Sequence, residues 1–212
     1  MQAFLLGNTC FMIKELVNKL KETEHGFKHI VTAGDGLLAD VLLSHLPLAI
    51  SLLDNESYQA RMLGTYMLGR LAATHEAAMQ VLKTKVAADE NWRVQEMLAK
   101  AFDQYCKDKG YQQALPVIEE WLAAAHANVN RAVVEGLRIW TSRPYFKEHP
   151  AIAIKLISRH KAHTSEYLRK SVGNALRDIN RKHTALVQQE IERWDLSDRK
   201  VVFTYKLVAK KA

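Results

Sequence analysis

The sequence predicts an all-α fold, an α-solenoid of helical repeats that form an alpha-alpha superhelix. Three observations predict it. Similar segments recur at a period that suits a pair of helices, residues that cap or start helices stand between them, and strand-like alternation is missing over most of the chain. The 212 residues are 48% hydrophobic, which is enough for one continuous core. We predict one domain over residues 1–212, with repeats clearest at 57–195 and a basic extension at 196–212.

The first helix of each predicted repeat carries a shared pattern, whose copies align at residues 59–64, 94–99, 130–134 and 168–173. On these helices, charged, polar or aromatic residues recur at i, i+4 spacing, which places the members of each set on one helix face. The sets are Trp92 with Glu96, Arg131 with Glu135, and Lys170 with Asn174 and Asp178. Stacked repeats would align these faces, and that of Arg61, along one groove.

The second helix of each repeat recurs as a short apolar segment. Its copies begin at residues 78, 114, 151 and 185, at intervals of 36, 37 and 34 residues. Pro116 and Pro150 fall where the first turn of such a helix is expected, and proline is well tolerated at that position. The spacing therefore predicts four helix pairs.

Residues that favour helix N-caps precede the first helices. They are Asp89-Glu90-Asn91, Asn128 and Thr164-Ser165-Glu166. The clearest strand-like run is Val201–Tyr205, and five such residues near a terminus are a weak signal. Helices are therefore expected throughout the repeats.

Positive charge is concentrated in the C-terminal part of the chain. Residues 1–130 carry 12 Lys and Arg against 15 Asp and Glu, whereas residues 131–212 carry 18 against 8. A basic surface of this kind attracts polyanions by releasing condensed counterions. Nucleic acid is the first partner to consider, an anionic membrane or an acidic protein the second, and a merely solvated Lys/Arg surface stays an alternative.

Cysteines, histidines and glycines give no sign of a metal or a cofactor. Cys10 and Cys106 lack paired spacing, so neither a zinc site nor a disulfide is predicted. His160 and His163 have i, i+3 spacing but no evident third ligand. The apolar start at residues 1–6 lacks a preceding positive charge and a cleavage pattern, and no apolar run approaches membrane-spanning length. We expect a cytoplasmic protein without cofactor, metal or membrane partner.

Three runs together carry a family resemblance. Asn91–Glu96, Asn130–Arg138 and Arg169–Asp178 resemble the DNA alkylation repair proteins built from HEAT-like repeats, the AlkD and AlkC group of DNA glycosylases. The resemblance covers about residues 57–195. It implies excision of cationic N3- and N7-alkylpurines from duplex DNA, with the DNA backbone held in a concave cleft and no deep pocket for the base. Solenoids of this kind are commonly monomeric, so we also expect a monomer.

The resemblance implies roles for individual residues. Glu96 matches the family's catalytic carboxylate, which is Asp in the AlkD branch and Glu in the AlkC branch. Trp92 matches an aromatic residue that rests against the lesion nucleotide, and Arg131 matches an arginine that holds the DNA backbone. Glu135 and Asp178 have counterparts among the acidic residues of the AlkC branch. The complete set is catalytic Glu96, Glu135 and Asp178, and DNA-binding Trp92, Arg131, Arg138, Arg143, Lys170 and Asn174.

One position departs from the AlkD branch. Asn174 stands where that branch carries a second tryptophan, so the resemblance implies an AlkC-type site in place of two aromatic walls. The segment Thr141–Lys147 is interpreted as a linker between the two helices of a repeat, from which Arg143 and Lys147 could reach phosphates.

The chemistry is consistent with these residue types. A purine alkylated at N3 or N7 already carries positive charge and is a good leaving group, so what remains is to stabilise the oxocarbenium-like sugar and to position water. An ionised carboxylate does both. A cluster of Glu96, Glu135 and Asp178 would face the deoxyribose while Arg131 and its basic neighbours anchor the phosphates.

Each candidate residue also has a structural interpretation. Arg131 and Glu135 could form an ordinary helix pair, Glu96 could pair with Lys100, and Asp178 with Arg181 or Lys182. Trp92 could be a core aromatic, as we expect of Trp121, Trp140 and Trp194.

Three functions therefore remain open. The first is a glycosylase for cationic alkylpurines. The second is a DNA-binding relative without excision activity that recognises damaged or branched DNA. The third is a protein-binding solenoid scaffold.

Overall fold

The computed structural model describes residues 2–210, with side chains from residue 11 onward, and within those limits the secondary structure is entirely helical. The all-α prediction is confirmed. The chain divides into two compact units, Met1–Ala101 and Phe102–Ala212, and the division falls inside a helix. Each unit has its own set of packed helices, and a single domain stays a prediction.

Unit 1 contains five helices and the first part of a sixth within the described range. They are α1 Gln2–Lys21, α2 Lys28–Ala39, α3 His45–Leu52, α4 Tyr58–Leu71, α5 Glu76–Val81, which continues into a π-helical turn at Leu82–Val86, and α6 Trp92–Lys109. Helix α4 packs against α1, α2, α3 and α5 and is buried on most of its sides. A helix that is buried nearly all round belongs in a core, and α4 is the core helix of this unit.

Unit 2 contains the rest of α6 and seven further helices within the described residues. They are α7 Leu115–Leu122, α8 Ala127–Gly136, α9 Pro144–Glu148, α10 Pro150–Ser158, α11 Glu166–Asn180, α12 Thr184–Ile191 and α13 Arg199–Ala209, with a 3-10 turn at Trp140–Ser142. Helices α7 and α8 pack together, α11 packs on α8, and α10 and α12 pack on each other and on α11. Each predicted first and second helix coincides with a helix of the structure: α4 and α5, α6 and α7, α8 and α10, α11 and α12.

The predicted core tryptophans are confirmed. Trp121, Trp140 and Trp194 are all buried. The Trp121 ring lies 4.6 Å from that of Phe102, and the Trp140 indole N–H donates to the Val134 carbonyl at 3.0 Å. A buried indole needs such a partner because its N–H would otherwise lose a hydrogen bond to water.

Most of the predicted helix starts are confirmed, and one is wrong. Pro116 and Pro150 lie in the first turns of α7 and α10, and the Ser165 hydroxyl accepts from the Leu168 N–H. Asn128, however, lies inside α8. The cap is His126, whose ring nitrogen accepts from the Asn128 N–H. Histidine is an uncommon cap, so residue preferences favoured the asparagine two positions later.

Residues 199–209 form helix α13, so the weak strand-like run at Val201–Tyr205 is helical, in agreement with the all-α prediction. Val201, Thr204 and Val208 are buried, a helical spacing that extends beyond the five residues of the apparent alternation. A Cβ atom at Gly173 would lie only 2.5 Å from Cβ of Leu207, so α11 and α13 approach closely through that glycine. Most of the predicted basic extension is therefore a packed helix of unit 2.

Within the described part of the chain, no helix has the length and apolar character needed to cross a membrane. The residues described also hold no cluster of three or more metal-ligating side chains. Cys106 is a free, buried thiol, and burial raises its pKa well above the ordinary range. The side chain of Cys10 lies outside the described residues.

Candidate functional site

Trp92 is the first residue of α6 and is 54% exposed, so the interpretation as a core aromatic is wrong. The guanidinium carbon of Arg93 lies 4.5 Å from the centroid of the Trp92 ring and 5.0 Å from that of Tyr58. The Nη2 of Arg93 also lies 3.2 Å from Nδ1 of His25. A cation at this distance is attracted to an aromatic ring, so Arg93 supports the Trp92 indole at the surface of unit 1.

Hydrogen bonds anchor the start of α6. The Asn91 side chain accepts from the Arg93 N–H at 2.9 Å. The buried Gln95 amide donates to the carbonyls of Val86 and Asp89 at 2.9 and 2.7 Å. Because these bonds fix the first turn of α6, they also fix the direction of the helix face that begins there.

Glu96 lies one turn after Trp92 on the same face of α6 and is half-buried. The predicted pairing of the aromatic side chain with the carboxylate on one face is therefore present in the structure. The Nζ of Lys100, one turn further, lies 5.0 Å from the centroid of the Phe27 ring.

Arg61, on the corresponding face of α4, is bound within unit 1. Its Nε donates to the Asp89 carboxylate at 2.5 Å, and its Nη1 donates to the carbonyls of Asn55 and Glu56. This arginine holds the loop before α4 and the loop before α6, so its role in the structure is to join two helix starts.

In unit 2, Arg138 joins two of the predicted catalytic acids. Its Nε donates to the Asp178 carboxylate at 2.6 Å, and its Nη1 lies 3.5 Å from the Glu135 carboxylate. The Asp178 side chain is only 8% exposed. Desolvation lowers the pKa of Arg138, but the two carboxylates outweigh it and the pKa is raised. The partner of Asp178 is therefore an arginine 40 residues away in sequence, not Arg181 or Lys182.

Arg131 lies beneath an aromatic ring. The residue is 5% exposed, and its guanidinium carbon is 4.2 Å from the centroid of Tyr167, which is itself 50% exposed. Helix α8 supplies the arginine and α11 supplies the tyrosine, and these two helices pack together. The Arg131 guanidinium is therefore largely shielded from solvent.

Arg143 also has partners inside unit 2. Its Nη2 donates to the Asp103 carboxylate at 2.7 Å and to the Gly136 carbonyl at 3.2 Å. The predicted linker around it is mostly helical, because the 3-10 turn and α9 occupy it. Arg143 therefore ties the linker to the neighbouring helix ends, while Lys147 is exposed on α9.

Lys170 and Asn174 lie on α11 one turn apart. Lys170 is exposed, and its Nζ is 2.9 Å from the Glu166 carboxylate. Hydrogen bonding to Lys170, followed by its charge, lowers the pKa of Glu166. Asn174 is half-buried. Both residues thus have a side available to solvent, which a surface contact to DNA requires.

Comparison with known proteins decides the family. A family model described as DNA alkylation repair enzyme matches residues 38–204. The chain belongs to this family. A search of curated proteins found no match.

Solved structures of similar proteins agree with this membership. AlkD2 from Streptococcus mutans is 42% identical, with a TM-score of 0.88 over 93% of this chain and 97% of that one. The smu.31 protein from Streptococcus mutans UA159 is 38% identical, with a TM-score of 0.77 over 99% and 97%. The alkylpurine DNA glycosylase AlkC from Pseudomonas fluorescens, solved with DNA containing an abasic site analog, is 21% identical, with a TM-score of 0.64 over 85% of this chain and 51% of that one.

The sequence reasoning missed three side chains in these groups. Arg93 lies against the rings of both Trp92 and Tyr58, and Tyr167 covers Arg131. Tyr167 stands three residues before Lys170, a spacing that shares a helix face and could have drawn attention to it. The contact of Arg93 with Tyr58 gave no such signal in the sequence, because Tyr58 lies on a different helix, α4.

Proposed function

We propose that the protein is a DNA repair glycosylase that hydrolyses the N-glycosidic bond of N3- and N7-alkylpurines in duplex DNA without drawing the base into a deep pocket. It is proposed to work as a monomer in the cytoplasm. The observation that carries the proposal is the exposed Trp92 one turn from Glu96, on a helix start fixed by Asn91 and Gln95, in a chain of the DNA alkylation repair enzyme family.

Glu96 is proposed as the carboxylate that acts on the sugar. The alkylated purine leaves as a neutral base, so the developing positive charge is on the deoxyribose, and a nearby anion stabilises it. Trp92 has the exposed surface to rest against the lesion nucleotide. The half-buried position of Glu96 reduces solvent screening and strengthens its field.

The charge of unit 2 supports DNA as the partner. Residues 102–212 carry 20 Lys and Arg against 12 Asp and Glu, whereas residues 1–101 carry 10 against 11. DNA binding that neutralises phosphates weakens steeply with salt. The proposed DNA-binding set in unit 2 is Lys170, Asn174, Arg131, Arg138 and Arg143, and the further catalytic acids are Glu135 and Asp178.

A second candidate is a DNA-binding protein without excision activity. The ion pairs of Arg138 with Asp178 and Glu135 favour it, because they neutralise two of the three proposed catalytic acids. In that case the basic surface would bind damaged or branched DNA by its shape.

The test is release of N7-methylguanine and N3-methyladenine from methylated duplex DNA. We would compare the wild-type chain, Glu96→Gln and the control Glu90→Gln, which removes an exposed acid just before α6. Binding to the same duplex would be followed over a salt series. We expect release by the wild type and by Glu90→Gln, and a loss of about 100-fold or more in Glu96→Gln.

Each outcome separates the candidates. Salt-sensitive binding without release, unchanged in Glu96→Gln, would contradict the glycosylase and support the DNA-binding protein. Failure to bind DNA at any salt concentration would contradict both and favour a protein-binding scaffold.

A further inference from the structure

Tyr167 is one of the few large apolar side chains that unit 2 exposes among the described residues, and it has a defined support. The guanidinium carbon of the buried Arg131 lies 4.2 Å from its ring centroid. A cation at this distance is attracted to the ring face, which orients the ring. The exposed half of Tyr167 therefore faces solvent from a fixed position.

The neighbouring residues suit a nucleotide. Lys170 is exposed three residues later on α11, where its ammonium can approach a phosphate. Asn174, one turn further, is polar and half-buried, so part of its side chain is accessible to a ligand. Bases stack on exposed aromatic rings without regard to sequence, since every base has a π-face.

We propose that Tyr167 is a stacking platform for a base of the bound duplex, one that has lost its pairing partner, with Arg131 as the positioning residue behind the ring. This inference rests on the proposed function. Arg131 then contributes to DNA binding by positioning Tyr167.

The probe is a duplex with 2-aminopurine opposite an abasic-site analogue, because the fluorescence of this base is quenched by stacking. The variants are Tyr167→Leu, Tyr167→Phe and the control Tyr145→Leu, which changes a tyrosine on α9. We expect Tyr167→Leu to lose the fluorescence change and bind about tenfold more weakly, and Tyr167→Phe and Tyr145→Leu to behave as the wild type. Thermal unfolding of each variant would confirm that it folds. We expect the Tyr167 variants to fold because the side chain is exposed.

Several results would overturn the proposal. If the wild type binds DNA and releases bases, unchanged binding and fluorescence in Tyr167→Leu would overturn the stacking proposal and leave the proposed function intact. Equal losses in Tyr167→Phe and Tyr167→Leu would assign the effect to the hydroxyl, and equal losses in Tyr145→Leu would make it nonspecific. Failure of the wild type to bind the duplex would overturn the proposed function as well.

Discussion

The two units hold their candidate residues by different kinds of contact. In unit 1, Trp92 is exposed, and the first turn of α6 is held by hydrogen bonds that the Asn91 side chain accepts and the Gln95 amide donates. In unit 2, Glu135 and Asp178 are held by Arg138. A carboxylate whose charge is neutralised by a bound arginine contributes less field to a substrate. Arg138 therefore weakens the field that Glu135 and Asp178 can present, although unit 2 carries most of the positive charge of the chain.

The largest expected effect on stability comes from the ion pairs of Arg138. Replacement by Met leaves the 8% exposed Asp178 without its cation, and we expect a loss of about 3 kcal/mol in the free energy of unfolding. The control Glu90→Gln removes an exposed acid of unit 1 and should change it by less than about 0.5 kcal/mol. Chemical denaturation measures both. Equal losses in the two variants would contradict the assignment of the effect to the ion pairs of Arg138.

The close approach of α11 to α13 gives the next effect. Gly173→Ala places a Cβ atom 2.5 Å from Cβ of Leu207, and we expect a loss of about 2 kcal/mol through overpacking. The same denaturation assay applies, with Gly36→Ala as the control, since a Cβ there meets no atom within 4 Å. A neutral Gly173→Ala would show that α13 can shift without cost.

Acid should destabilise unit 2 through His160. Desolvation, then the charges of His163 and Arg159, lower its pKa to about 4 from the ordinary value of 6.5. Between these values the unfolded chain binds more protons than the folded one, so the contribution to stability is fully present above about pH 6.5 and is lost as the pH falls toward 4. After solvent screening we expect about 1–2 kcal/mol. Unfolding of the wild type and His160→Gln between pH 7 and 4 measures it, and an identical slope in both would contradict the assignment.

The smallest expected effect is that of Lys170. Its ion pair with Glu166 is exposed, so Lys170→Gln should change the free energy of unfolding by less than about 0.5 kcal/mol. If Lys170 contacts a phosphate, Lys170→Gln should reduce the steepness of the salt dependence: the slope of the logarithm of the DNA-binding constant against the logarithm of the salt concentration falls in magnitude by about 1. Lys21→Gln, at the end of α1 in unit 1, serves as the control and should leave the slope unchanged. An unchanged slope would exclude Lys170 from the DNA contact.

Much of the fold was predictable, because helix pairs and prolines leave local signals. The intervals of 36, 37 and 34 residues placed the helices, and burial of Trp121, Trp140 and Trp194 followed from their apolar surroundings. The cap at His126 was missed because histidine is rarely found at that position. Helix α13 was missed because a short alternating run hides its helical spacing.

The sequence by itself determined the helical repeat, the concentration of positive charge toward the C-terminus and the resemblance that singles out Trp92 and Glu96. All three are properties of residue order. Tertiary structure alone decided that Arg138 binds Asp178 and that Tyr167 covers Arg131, because each contact joins residues far apart in the sequence whose packing no local pattern records. The candidate residues could be named from the sequence, but their charge partners could not.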